Sequence, residues 1–294
     1  MKQIVLTGAD GFIGSILGPT LAKRGHLICP FVGDITSKQN IQSFVQTLEH
    51  VDLVLHFAGL SSPKQCSDSP QLAKEINTIG AHTFAEFIGE KLPAAQFVFA
   101  STGQVYSAAL SGSPDPIAES SPIEPINLYA ETKLKAEELL KESSNKYKTK
   151  VTCLRLFNHT HKTQAPHFFL PSLYQQILKG GSEITTGNLD LTRDLGAIQD
   201  LARALISVVE QPQNESFSTY NLCSGTGKNL KSLALELARQ MKKEVRFKTD
   251  SSLVRTNEPL SIVGSCQKFS AQYGWKPQFS LNEKQLIASF LKDI

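Results

Sequence analysis

The sequence has no apolar run of the ~20 residues that a membrane span requires. It also lacks a strong charge of either sign, since Lys+Arg exceed Asp+Glu by 30 − 27 = 3 over 294 residues. That balance gives no electrostatic reason to expect nucleic acid or a membrane surface as partner. Cys29, Cys66, Cys153, Cys223 and Cys266 are odd in number, scattered and free of C-x-x-C spacing, which fits free thiols in a reducing cytosol. The seven histidines form no H-E-x-x-H or related cluster, so no metal site is expected. No repeat or low-complexity tract stands out, and the chain enters a strand pattern at once, without a leader-like segment.

What is present begins with Gln3-Ile4-Val5-Leu6-Thr7, a short buried strand, followed by Gly8, Gly11 and Gly14 at spacing three and three. Glycines at a strand-to-helix junction let the backbone approach a pyrophosphate, whose charge then meets a helix N-terminus. The helix to Arg24 contains Pro19, which predicts a kink. A second strand at residues 27–31 ends without the usual acid, and Asp34 comes only later. Arg24 could face a 2′-phosphate, so NADP(H) is favoured, with NAD(H) as the other possibility. The third strand ends in Phe57-Ala58-Gly59, small enough at its tip for a cofactor to cross. His56 reads as a packed strand residue. A helix over residues 71–89 carries Asn77, which can hold a carbonyl or a water beside a catalytic lysine.

Residues 97–133 organise the rest. Phe97-Val98-Phe99-Ala100 is a strand running into Ser101-Thr102, and a later helix carries Tyr129 and Lys133 four residues apart on one face. An ammonium beside a phenol favours the phenolate, so the spacing predicts a lowered tyrosine pKa. With the Thr102 hydroxyl, the three form a proton relay aimed at a carbonyl or alcohol oxygen. Residues 151–156 form another strand, and Asn158 and His159 follow its carboxyl end, where ligands bind in open α/β sheets. Alternating strands and helices predict an α/β protein with a Rossmann-type doubly wound parallel sheet and a smaller α/β substrate-binding carboxyl-terminal domain. The dinucleotide-binding part is expected over residues 1–157 plus about 194–215. The substrate-binding part is expected over about 158–193 and 216–294. Arg193 and Arg255 stand in loop-like contexts, and arginine forks suit phosphate oxygens.

Three motifs, Thr7-Gly8-x-x-Gly11-Phe12-Ile13-Gly14, Ser101-Thr102-x-x-Val105-Tyr106 and Tyr129-x-x-x-Lys133, together resemble the extended short-chain dehydrogenase/reductase family. Arg155-Leu156-Phe157-Asn158-His159, Leu191-Thr192-Arg193-Asp194, Val254-Arg255-x-x-Glu258 and Gly274-Trp275-Lys276-Pro277 are similar, within it, to the GDP-6-deoxy-D-mannose reductases. The resemblance implies reduction of the 4-keto group of GDP-4-dehydro-6-deoxy-D-mannose, with Thr102, Tyr129 and Lys133 as catalytic residues. It implies a dinucleotide held by Gly8, Gly11, Phe12, Ile13, Gly14, Asp34, Ile35, Phe57, Ala58, Gly59, Asn77, Tyr129, Lys133 and Leu156. For the nucleotide sugar it implies Thr102, Gly103, Gln104, Tyr129, Asn158, Arg193, Arg255 and Glu258, and for the assembly a homodimer. The sequence departs from the pattern at Leu156, Leu195 and Ser107, where proline, phenylalanine and glycine are usual. Gly103 and Gln104 cannot serve as the acid and base that a 4,6-dehydratase needs after its threonine. Residues 101–106 also lack the cysteine of epimerising fucose synthases. A 4-epimerase ranks second, a dTDP-, CDP- or UDP-sugar reductase is a variant of the first reading, and a non-catalytic dinucleotide-binding regulator is the remote alternative.

Overall fold

The structure, a computed structural model, describes residues 1–106, 115–211, 214–254 and 258–293. The chain divides into two compact units. The first comprises Met1–Tyr106, Ile123–Leu156 and Leu205–Tyr220, and the second Ser107–Pro122, Phe157–Ala204 and Asn221–Ile294.

The first unit is built on strands β1 (Gln3–Thr7), β2 (Leu27–Pro30), β3 (Leu53–His56), β4 (Gln96–Thr102) and β5 (Val151–Leu156). Strands β3 and β4 are buried at every position, the pattern of parallel strands covered on both faces. The parallel order is β2-β1-β3-β4-β5, continued by a strand at Phe217–Leu222. Its direction reverses between β1 and β3, so the carboxyl ends at Thr7 and His56 border the crevice where such sheets take ligands. Register places Ser101 opposite Arg155 and Thr102 opposite Leu156. Phe31, Phe84, Phe97 and Phe99 anchor a core that also takes Val5, Val54, Ile88 and Leu140.

Helix α1 (Gly14–Lys23) is not divided by Pro19. The proline is exposed, and the Ser15 carbonyl that its absent N–H would have met also belongs to an exposed residue, within reach of water. The single helix expected over residues 71–89 is instead a series of segments. They are Pro63–Asp68, Pro70–Lys74, a π-helical turn Glu75–Gly80, and Ala81–Lys91. The prolines open two of these at a first helical turn, where a missing N–H costs nothing.

In the second unit a strand at Thr192–Ala197 pairs with Asn158–Thr160, Gly227–Asn229 and Ser261–Ile262. Arg193 is therefore a strand residue, which corrects the loop-like reading. The cause lies next door: Asp194 is wholly buried and accepts hydrogen bonds from Ser224 N (2.8 Å), Ser224 Oγ (2.6 Å), Gly225 N (2.9 Å) and Gly264 N (3.2 Å). Leu170, Leu173, Leu233, Leu237, Leu286 and Phe290 form this unit's core. Among the described residues no helix is long and apolar enough to cross a membrane, and no group of three or more His, Cys, Asp or Glu is placed to hold a metal ion.

Candidate active site

Strand β4 delivers Thr102 at its last position, and the chain turns through Gly103–Val105. Helix α6 (Leu128–Tyr147) then presents Tyr129 and Lys133. Its start is fixed by Asn127, whose side-chain oxygen accepts from Ala130 N at 3.0 Å while its Nδ2 donates to Gln104 Oε1 at 2.6 Å. The same turn is closed by Gln104 N donating to Thr102 Oγ1 at 3.2 Å. One short stretch thus ties the cap of helix α6 to the turn that leaves Thr102. Asn127 is missed by motif reading, although an Asn immediately before a helix is a capping signal.

Thr102, Tyr129 and Lys133 are all buried, and the Thr102 side chain stands close enough to the Tyr129 phenol to favour its ionised form. Burial pushes the phenol up to about 12, and Thr102 offsets this only in part. The lowered tyrosine pKa expected from the sequence is therefore not found, because desolvation outweighs the influence of Thr102. Burial also brings the Lys133 ammonium down to about 8. Its Nζ lies 4.7 Å from the centre of the Phe99 ring, a cation–π contact that helps retain the charge. The resting site thus holds a protonated phenol, ready to give a proton, beside an ammonium that is half discharged near pH 8. The expected outcome is an alkaline limb in kcat/KM with a midpoint near pH 8. Lys133 is charged below that midpoint and neutral above it, while Tyr129 keeps its proton throughout. A Lys133→Met variant measured over the same pH range should lose the limb with most of the activity.

Lys133 reaches the tip of β3 because residue 59 has no side chain. A Cβ on Gly59 would stand 3.0 Å from Lys133 Nζ and 3.0 Å from Asn77 Oδ1. Asn77, on the π-helical turn, accepts from Leu60 N at 2.8 Å and donates to Leu60 O at 3.0 Å and Thr132 Oγ1 at 3.1 Å. Thr78 donates to Thr132 O at 2.8 Å. Asn77 thus clamps the loop after β3 to helix α6. Cys66, read from the sequence only as one of five free thiols, is fully buried against Tyr129, Ala73 and Leu60, and burial raises its thiol.

The glycine turn fits a dinucleotide. Gly8 has φ +70°, and a Cβ there would lie 2.7 Å from Ala58 N; one on Gly14 would lie 2.1 Å from Gly8 O. Gly11 N donates to Gly8 O at 3.0 Å, Ser15 N donates to Gly11 O at 2.9 Å, and no side chain caps α1 at Ile13. Thr7 Oγ1 accepts from Ala58 N at 3.1 Å and bonds His56 Nδ1 at 3.2 Å, joining the two strand ends. His56 is fully buried among phenylalanines and lowered by burial to about 3, a neutral packing residue as expected. Phe57 and Ala58 are half-buried at the tip of β3, as are Phe12, Ile13, Ile35 and Leu156 in their loops and strand end. Asp34 is exposed and accepts from Thr36 N (2.8 Å) and Thr36 Oγ1 (2.7 Å). Arg24 does not stand free for a 2′-phosphate; it pairs with Glu210 at 2.9 Å.

In the second unit Arg193 donates to Glu258 Oε1 at 2.9 Å and to Thr192 O at 2.8 Å, so the structure brings these two predicted residues together. Asn158 is exposed and donates to Asp194 O at 3.5 Å. His159 is buried, bonded to Phe157 O at 3.0 Å and lowered by burial to about 4, which gives it a role in closing its own loop. Arg255 and Ser107 lie outside the described residues.

A glycine turn at the sheet's reversal and a buried Thr-Tyr-Lys group beside it agree with a family match over residues 4–223, described as the NAD dependent epimerase/dehydratase family. The chain belongs to that family. Its members of this type are extended short-chain dehydrogenases, and the protein is an NAD(P)-dependent oxidoreductase. It is 27% identical over 301 residues to a GDP-6-deoxy-D-mannose reductase of Pseudomonas aeruginosa, covering 99% of this chain and 97% of the relative. It is 29% identical over 325 residues to a UDP-glucose 4-epimerase of Streptococcus mutans, covering 97% and 95%. Among solved structures, RMD from Pseudomonas aeruginosa complexed with NADPH matches with a TM-score of 0.87 at 24% identity, covering 99% of this chain and 98% of that one.

Proposed function

We propose that this extended short-chain dehydrogenase reduces the 4-keto group of a nucleotide-activated 4-keto-6-deoxyhexose. The substrate favoured is GDP-4-dehydro-6-deoxy-D-mannose and the product GDP-D-rhamnose. The carrying observation is that the site offers a single proton donor. Tyr129 is held as a phenol by burial, and the two positions after Thr102 are Gly103 and Gln104, the latter committed to Asn127. Such a site can protonate one alkoxide, and among the described residues the two positions after Thr102 hold no acid or base for eliminating water. The 27% identity to the Pseudomonas reductase over nearly the whole chain supports the GDP sugar.

In this reading Tyr129 gives its proton to the oxygen that forms at C4, Thr102 orients that oxygen, and the Lys133 ammonium stabilises the charge left on the phenol. NADP(H), held on the glycine turn and by Tyr129 and Lys133, supplies the hydride when bound. NADP(H) is favoured over NAD(H) because no acid closes β2 and the Asp34 carboxylate is engaged by Thr36. The first unit is taken as the dinucleotide-binding part and the second as the nucleotide-sugar part, with Asn158, Arg193, Arg255 and Glu258 on the nucleotide sugar. A cytoplasmic homodimer belongs to the same reading, and light scattering tests the assembly.

The testing experiment is NADPH oxidation with freshly generated GDP-4-dehydro-6-deoxy-D-mannose, beside dTDP-4-dehydro-6-deoxyglucose and with NADH in parallel. Rapid oxidation with the GDP sugar and NADPH is the expected result. Oxidation with the dTDP sugar alone would move the base assignment and keep the chemistry. The second reading, a 4-epimerase, is favoured by the 29% identity to the Streptococcus enzyme and by a proton relay that would serve it equally. Conversion of UDP-glucose to UDP-galactose without net cofactor consumption would select it.

A further inference from the structure

Behind the catalytic strand and helix lies a buried polar cluster to which the mechanism gives no part. Ser101 is 2%, Glu137 4%, Arg155 5% and Tyr106 0% exposed. Arg155 grips the Glu137 carboxylate with Nε at 3.1 and 3.3 Å and with Nη2 at 2.7 Å. Its Nη1 donates to the Tyr106 hydroxyl at 2.9 Å, and its guanidinium lies 4.9 Å from the centre of the Tyr106 ring. Ser101 Oγ donates to the same Glu137 carboxylate.

Each member adjoins a catalytic residue. Ser101 precedes Thr102 on β4, and Arg155 faces Ser101 across the β4–β5 ladder. Tyr106 follows the turn that leaves Thr102, and Glu137 lies one helical turn beyond Lys133 on the same face of α6. A buried ion pair is a poor way to gain stability, because desolvating both charges cancels much of their attraction and an apolar pair of similar volume often does as well. Its distinctive property is geometric: a bidentate fork tolerates one arrangement of two elements and rejects a slipped one. It also leaves a fixed charge pair beside whatever lies next to it.

We propose that Glu137, clamped by Arg155 and Ser101, is a positioning residue for the Thr102–Tyr129–Lys133 group. It locks the register of helix α6 against strands β4 and β5, and it fixes an anionic side chain one helical turn from the buried Lys133. This rests on the assignment of those three residues as the catalytic group, not on the identity of the sugar. Around Lys133 stand His56 from β3, Cys66 from the Pro63–Asp68 helix, and Tyr129 and Glu137 from its own helix. Burial drives the lysine toward neutrality, and Cys66 and Glu137 oppose it. His56 is neutral, and the Cys66 thiol is raised by burial, so neither carries charge near neutral pH. Around Glu137 stand Ser101 from β4, Tyr106 beyond it, and Cys153 and Arg155 from β5. Burial raises the Cys153 thiol and keeps it neutral as well.

The test is a carbon NMR titration of the Lys133 side chain in lysine-labelled protein, assigned with Lys133→Met and needing no substrate. The wild-type midpoint is expected near 8. Glu137→Gln keeps the shape and removes the charge, and its midpoint should fall on the order of one pH unit, the size of shift that a nearby opposite charge imposes. Because that variant leaves Arg155 buried without its anion, Glu137→Gln/Arg155→Met is measured beside it and should show a smaller fall in the same direction, since a positive charge leaves with the negative one. Glu137→Asp retains the charge and should keep the wild-type midpoint while lowering kcat, since the fork no longer spans the gap. Unchanged midpoints in folded Glu137→Gln and in the double variant would overturn the proposal. So would failure of both to fold, which would assign the cluster to stability alone. Full turnover by Tyr129→Phe would instead remove the catalytic assignment and leave the measured lysine titration standing, so the two failures are distinguishable.

Discussion

Tyr129→Phe is expected to lower turnover about a thousandfold, within the range over which general acid catalysis contributes. The physical case is narrow. The variant keeps the ring packed against Cys66, Ala73 and Leu60, and deletes one hydroxyl. That hydroxyl stays protonated to about 12 because it is buried. Gln104 is committed to Asn127 and His56 is fully buried, so neither takes its place. NADPH affinity, read by quenching of protein fluorescence, should change little. Thermal stability should be near wild type because core volume is conserved. Unimpaired turnover would remove Tyr129 from the mechanism.

Gly8→Ala is expected to cost roughly a hundredfold in dinucleotide affinity, the scale of loss that follows a displacement of about 1 Å. Two effects act together. At φ +70° an L side chain is strained by roughly 1–2 kcal/mol. The added Cβ also lies 2.7 Å from Ala58 N and 2.8 Å from the Phe57 carbonyl carbon, and both are backbone, so the tips of β1 and β3 must separate. Gly25→Ala separates the two causes. Gly25 has φ +82° with nothing within 4 Å of the added carbon, so it should show the strain in its melting temperature and leave NADPH binding intact. Equal binding losses in both variants would mean that the collision at the cradle does not matter.

These predictions also mark what was legible in the sequence. The glycine turn, the strand bearing Thr102 and the helix bearing Tyr129 and Lys133 were readable because each follows from local spacing. A turn needs φ > 0 at a given place, and two residues four apart share a helix face. The direction of the Tyr129 shift was not readable, since it depends on how deeply the phenol is buried, a tertiary quantity. Arg193 read as a loop arginine because the Thr192–Ala197 strand carries Asp194, and its buried carboxylate is satisfied by amides from Ser224, Gly225 and Gly264, far along the chain. Glu137 and Arg155 are 18 residues apart, and no motif announces their pairing. Only the β4–β5 register brings Arg155 opposite Ser101. The pairing of Arg24 with Glu210, 186 positions away, was likewise beyond local pattern.

The π-helical turn at Glu75–Gly80 carries a consequence for how this chain tolerates change. A widened turn holds one residue more than the α-helix would allow at the same length, and it is this surplus that lets Asn77 and Thr78 address helix α6 side by side. Composition could drift along this segment with the geometry kept. A single-residue deletion could not be absorbed in the same way: the turn would relax to α-helical winding and carry one of the two contacts about 100° around the axis. At this point the site is specified by a count of peptide units, and the loss of one would unfasten the loop after β3 from the helix that bears Lys133.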